Sequence, residues 1–156
     1  MGGATAFMIQ FIMSAVSVLF LIRFVLQATR ADFYNPISQG VVRYTEPVLK
    51  PLRKLIPTYK NLDLAAFAAI WIVSILTITA VVIMSGAYSD SIVVQLLQSK
   101  GLTVGAIIGG VYLTLDLFLN FYWVAIFAMI ILSFLVPGTY NPVVSLLHQI
   151  CEPVLA

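Results

Sequence analysis

The sequence predicts an all-α membrane protein built from two direct repeats. Three observations carry that reading. Hydrophobic residues make up 62% of the chain and charged residues 9%, with a mean hydropathy of +1.06. Soluble domains carry about 25% charged residues, so this chain lacks the polar groups to cover a soluble globule. Three apolar runs are long enough to cross a bilayer, for which about 20 residues suffice. Finally, "YNP" at Tyr34-Asn35-Pro36 returns at Tyr140-Asn141-Pro142, and "EPVL" at Glu46–Leu49 returns at Glu152–Leu155. Both offsets are 106 (140 − 34 and 152 − 46), so the motifs align without a gap.

The first repeat occupies 1–85. Its first span covers about Thr5 to Gln27. With no early basic residue and too long an apolar run for an h-region, it does not read as a cleaved signal peptide. An interfacial segment of about 34–57 follows. Asn35 is a strong N-cap and Pro36 fits the first helical position, so a helix is expected from 36. Ile37, Val41, Tyr44 and Val48 draw one apolar stripe, with Ser38, Gln39, Arg43 and Glu46 off it. Pro47 is expected to break or kink the helix next to Glu46, and Pro51 and Pro57 to prevent a long continuation. The segment is too short and polar to span, so it reads as a broken helix lying in the membrane interface. Tyr34 and Tyr44 suit that depth. The second span covers about Leu64 to Ser85.

Residues 86–112 are expected to form an external loop and, from 103, a helical lead-in. The third apolar run, Thr103 to Val136, would reach about 51 Å as one helix at 1.5 Å per residue. It must tilt, protrude or break, and Gly109-Gly110 is the expected break. Gly105 and Gly109 also form a GxxxG pattern suited to close helix packing. The incomplete second repeat occupies 113–156, where Leu113 to Val136 aligns with Phe7 to Arg30. Asn141 and Pro142 start its interfacial helix, Val143, Leu147, Ile150 and Val154 repeat the stripe, and Glu152-Pro153 repeat the break.

Charge orients the chain. Between Thr29 and Leu62 lie Arg30, Arg43, Lys50, Arg53, Lys54 and Lys60 against Asp32 and Glu46, a net of six minus two, or +4. The positive-inside rule places this loop in the cytoplasm and the N-terminus outside. The six basic residues are the candidate contacts to anionic lipid headgroups or a partner, at about 1 kcal/mol each near an anionic surface.

Few residues could carry chemistry. Arg23, inside the first span, reads as snorkelling to phosphates or as one half of an interhelical pair. Asp116 and Asn120, four apart in the third run, are intramembrane polar groups; a buried acid there raises a proton or cation site beside the plainer reading of a wet position near the outer interface. His148 and Cys151 are three apart, but two candidate ligands without a third do not make a metal or haem site. Cys151 is the single cysteine, so no internal disulfide is possible. No phosphate loop, zinc signature, nucleophile triad or nucleic-acid motif is present. No enzyme activity, cofactor, metal or nucleic-acid partner is expected.

The stretch "RFVLQATRADFYNPISQGVVRYTEPVLKPLRKLIP", Arg23 to Pro57, and the copy "YNPVVSLLHQICEPVLA" resemble the YggT family of bacterial inner-membrane proteins. The resemblance covers nearly the whole chain, and its nearest members are proteobacterial. It implies two halves, each a span, a proline-rich basic segment and a second span. Ala156 aligns with Lys50, so three spans are expected here and a fourth in full-length relatives. It further implies roles in osmotic stress tolerance, the envelope, division or assembly of a membrane complex. The expected function is therefore a non-enzymatic inner-membrane scaffold or assembly factor that binds anionic lipid and a membrane protein or a second copy of itself. The alternative is a small transporter or channel component with Asp116 and Asn120 lining a path.

Overall fold

The computed structural model describes residues 2–86, 90–135 and 141–155. Tyr140 and Val136 lie outside them. Five helices follow in order: α1 (Gly2–Ala28), α2 (Pro36–Leu55), α3 (Leu64–Ser85), α4 (Ser91–Leu135) and α5 (Pro142–Leu155). The fold is all-α, and among the described residues an isolated bridge pairs Tyr59 with Leu62 in place of any strand. α1, α3 and α4 are long and apolar enough to cross a membrane. This is a membrane protein.

The chain forms two compact units. Met1–Val18 and Ala68–Leu117 make unit 1; Leu19–Phe67 and Phe118–Ala156 make unit 2. In unit 1 the core joins Ile78 and Val81 of α3 to Val93 and Ala106 of α4, with Ala6, Ile9, Val94 and Leu97 packed against it. In unit 2 Leu21, Val25 and Leu26 of α1 are buried with Leu49 of α2. Phe24, Phe67 and Phe118 form an aromatic triangle there, with ring centres 5.4–6.1 Å apart.

Two expectations need correction. The break in the third run falls at Gly101, not at Gly109-Gly110. Gly101 has φ 79° and ψ 170°, a conformation open essentially to glycine, and it divides α4 into limbs 91–100 and 102–135. Residues 91–100 are therefore helix rather than loop. Asp90 caps that limb, accepting from Ile92 N at 2.9 Å and Val93 N at 3.2 Å. The glycines allow close packing instead. A Cβ on Gly105 would lie 2.8 Å from Leu97 Cα, and one on Gly110 2.8 Å from Ile75 Cγ1 of α3.

Second, α2 is not broken at Glu46-Pro47. It continues as 20 helical residues with Pro47 and Pro51 inside it. Each proline frees a carbonyl four residues earlier, on Arg43 and on Pro47. All three residues lie on the exposed side, where those carbonyls are open to solvation. α5 likewise continues past Glu152-Pro153 to Leu155. The side of α2 that packs on protein is a separate one, with Ser38, Val41, Thr45 and Leu49 buried. Ile37, Tyr44 and Val48 remain exposed. The apolar arc of this helix is wide enough for one edge to pack on protein while the other stays free. In α5 the buried residues are Leu146, Ile150 and Cys151, while Val143 and Val154 are exposed.

Candidate functional site

The charged groups of unit 2 form a chain of alternating sign. Glu46 and Arg53 are seven residues apart, two turns along one face of α2. Arg53 Nη1 donates to both Glu46 oxygens at 3.2 Å, and Nη2 donates to Asp63 Oδ2 at 2.5 Å. Arg23 Nη2 of α1 lies 3.7 Å from Glu46 Oε2, and its guanidinium carbon is 6.0 Å from the centre of the Phe33 ring. Asp63 is fully buried, and its Oδ1 accepts from Ala66 N at 3.2 Å, which caps α3. The order Arg23–Glu46–Arg53–Asp63 thus pins α2 to α1 and to the start of α3. The hydrogen bond to Asp63 raises Arg53 above its ordinary pKa, so it stays charged throughout the physiological range.

Arg53 is therefore turned inward, away from the other basic residues. Arg43, Lys50 and Lys54 are exposed along one row of α2. Beside that row runs an exposed apolar edge of Ile37, Tyr44, Val48 and Leu55. Arg30 Nη2 donates to Asn61 Oδ1 at 3.1 Å, and Lys60 Nζ lies 5.6 Å from the centre of the Tyr59 ring. Sequence reasoning did not single out Asp63. Its signal was an acid directly before "LAAFAAI", the position of an N-cap.

The "NP" motifs act as caps. Asn35 Oδ1 accepts from Ile37 N at 3.0 Å and Asn141 Oδ1 from Val143 N at 2.9 Å. Asn35 also reaches α5, its Nδ2 donating to Pro142 O at 2.8 Å. Nearby, Asp32 N donates to Gln149 Oε1 at 2.8 Å. Tyr34 is exposed and its N–H is held by Asp32 Oδ1 at 2.9 Å. Glu152 and Pro153 are exposed. His148 is exposed and Cys151 is buried, and that burial pushes the Cys151 thiol up from its ordinary value.

Asp116 belongs to unit 1, where it lines a cavity of about 380 Å³ with Gln10, Ser14 and Ser17 of α1, Ser74 and Thr77 of α3, and Asp90. Asp116 is exposed, whereas Ser17, Ser74 and Thr77 are buried. Asn120 falls in unit 2 and is not among the lining residues. Sequence reasoning noted Asp116 but not the serines: Gln10, Ser14 and Ser17 recur at helical spacing on α1.

The sequence profile of the CCB3/YggT family matches residues 3–84 and 108–156. The chain belongs to the CCB3/YggT family. It is 36% identical over 152 residues to an uncharacterized protein of Pseudomonas aeruginosa, covering 97% of this chain and 72% of that one. It is 31% identical over 151 residues to an uncharacterized protein of Vibrio alginolyticus, covering 97% and 76%. With a protein named YggT from Escherichia coli K12 it shares 35% identity over 68 residues, 44% of this chain and 36% of that one. No solved structure matches it. Both CCB3/YggT segments include an "NP" cap, and the first includes the whole ionic chain.

Proposed function

We propose that this YggT-family chain is a non-enzymatic scaffold or assembly factor of the bacterial inner membrane, with α2 as its working surface. The carrying observation is the three-sided character of α2. One side is buried, and the Arg23–Glu46 and Arg53–Asp63 pairs tie the helix to α1 and to the start of α3. A second side presents Arg43, Lys50 and Lys54, and a third presents Ile37, Tyr44, Val48 and Leu55. A helix with an exposed apolar edge beside a basic row suits the plane of a bilayer surface, the apolar edge in the acyl boundary and the cations at headgroup level. The positive-inside rule puts that surface in the cytoplasm and the N-terminus in the periplasm. Anionic lipid and a membrane protein, or a second copy of the chain, are the partners it fits. A role in osmotic stress or membrane-complex assembly follows from family resemblance.

The second reading, transport, is favoured by the polar cavity at Asp116. One comparison separates the two. Arg43, Lys50 and Lys54 are replaced together by Gln, and Asp116 separately by Asn, at equal membrane abundance. On the scaffold reading the triple variant fails to complement the osmotic-stress defect of a strain lacking the protein, and Asp116→Asn complements it. The reverse order overturns the scaffold reading. Arg53 is left intact because its loss would unpin the helix.

A further inference from the structure

The prolines inside α2 stand where its two exposed faces meet. At about 100° per residue, Arg43, Lys50 and Lys54 fall within about 40° of one another. The edge of Ile37, Tyr44, Val48 and Leu55 is centred about 120° from Arg43. Pro47 and Pro51 fall between the two, about 40° and 80° from Arg43, and both are exposed. Neither proline has an N–H, so Arg43 O and Pro47 O lack the partner that an α-helix would give them. Among the described residues no side chain donates to either carbonyl. Thr45 Oγ1 turns to Val41 O at 2.7 Å, and Arg53 to Glu46 and Asp63. The seam between the cations and the apolar edge thus carries two acceptors about 6 Å apart along the axis.

We propose that this seam selects, among anionic lipids, a headgroup that carries a phosphate and hydroxyl donors together, of the glycerol type. The inference rests on the reading of α2 as a lipid-facing surface. Arg43, Lys50 and Lys54 hold the phosphate, and the headgroup hydroxyls donate to Arg43 O and Pro47 O. Charge alone is blind to the rest of the headgroup. The two carbonyls add what charge does not. A headgroup without donors covers them and leaves them unpaired, which costs free energy, whereas a hydroxyl satisfies them. An ethanolamine headgroup also has donors, but its lipid carries no net charge and the basic row repels its ammonium group.

Phosphatidylmethanol carries the same single negative charge as phosphatidylglycerol and no hydroxyl, so the pair isolates the hydroxyls. Spin-labelled forms of both, and of phosphatidylcholine, are compared in bilayers containing the purified full chain, through the motionally restricted lipid fraction. The native chain should retain phosphatidylglycerol about threefold over phosphatidylmethanol. Pro47→Ala together with Pro51→Ala gives both carbonyls an N–H and should bring that ratio to about one, with both anionic lipids still ahead of phosphatidylcholine. Alanine is the better helix former, so the fold survives the change. Pro36→Ala, at the first helical position, pairs no carbonyl of α2 and should leave the ratio unchanged. Equal retention of the two anionic lipids by the native chain, or a ratio untouched by the double change, overturns the proposal and leaves the basic row's hold on anionic lipid standing. A double variant that loses its lead over phosphatidylcholine also overturns it, since the prolines would then act through the row itself. A native chain without that lead overturns both this inference and the lipid-facing reading beneath it.

Discussion

Arg53 and Asp63, ten residues apart and on opposite sides of the α2–α3 turn, meet at 2.5 Å with the carboxylate fully buried. Removing one partner of such a pair leaves the other uncompensated. Asp63→Ala also removes the cap of α3, whereas Asp63→Asn keeps a capping oxygen. The expected order of stability is native, then Asn, then Ala, with Asn costing about 2 kcal/mol; Arg53 keeps some contact with solvent, which moderates the loss. Thermal unfolding in detergent measures it. Equal midpoints for Asn and Ala would remove the cap from the account.

Asn35 has two tasks, capping α2 and reaching Pro142 O. In an isolated peptide of residues 32–57, Asn35→Asp should be nearly neutral for helicity, because Asp also caps. In the whole chain it should cost about 1–2 kcal/mol, because a carboxylate has no proton to donate to that carbonyl. Circular dichroism of the peptide and unfolding of the chain make the contrast. An equally neutral result in both would mean that the bond to α5 contributes nothing.

Ser38 is fully buried and its Oγ has no partner among the described residues. A Ser38→Ala change removes that unsatisfied oxygen, so stability should hold or rise by up to about 1 kcal/mol. The aligned position 144 is Val, consistent with an apolar requirement. A drop of several degrees in the unfolding midpoint would show that the hydroxyl is engaged.

The Cys151 thiol, buried and pushed above its ordinary pKa, should react slowly with maleimide in the folded chain and quickly once unfolded. The raised value also sets a pH dependence. Above the ordinary thiol pKa the unfolded chain releases a proton that the folded chain retains, so stability falls as pH rises through that window. Cys151→Ala should flatten the slope. An unchanged slope would place the effect elsewhere.

Much of the helical order was legible because apolar runs and caps are local signals. The second span was read as Leu64 to Ser85 and α3 has those bounds. The start of α2 at Pro36 followed from Asn35. What escaped depends on partners distant in sequence. Helical spacing alone could not choose which edge of α2's apolar arc is buried, since Val41 suits both Ile37's row and Ser38's. Prolines at 47 and 51 read as breakers because their exposure was unknown. Gly101 was passed over for Gly109-Gly110, although Asp90 before "SIVVQLLQ" and a glycine after Lys100 mark a short capped helix. At the site, Asp63 stood one residue beyond the loop over which charge was counted, and the role of Arg53 became visible only beside it.

The central claim is that the exposed basic row of α2 holds anionic headgroups while the ionic chain keeps the helix in place. Spin-labelled phosphatidylglycerol and phosphatidylcholine in bilayers containing the purified chain measure it through the motionally restricted lipid fraction. The native chain should retain phosphatidylglycerol at least twofold over phosphatidylcholine, with the preference fading at high salt. Replacing Arg43, Lys50 and Lys54 by Gln should abolish the preference without changing helicity. An unchanged preference in that triple variant would contradict the account.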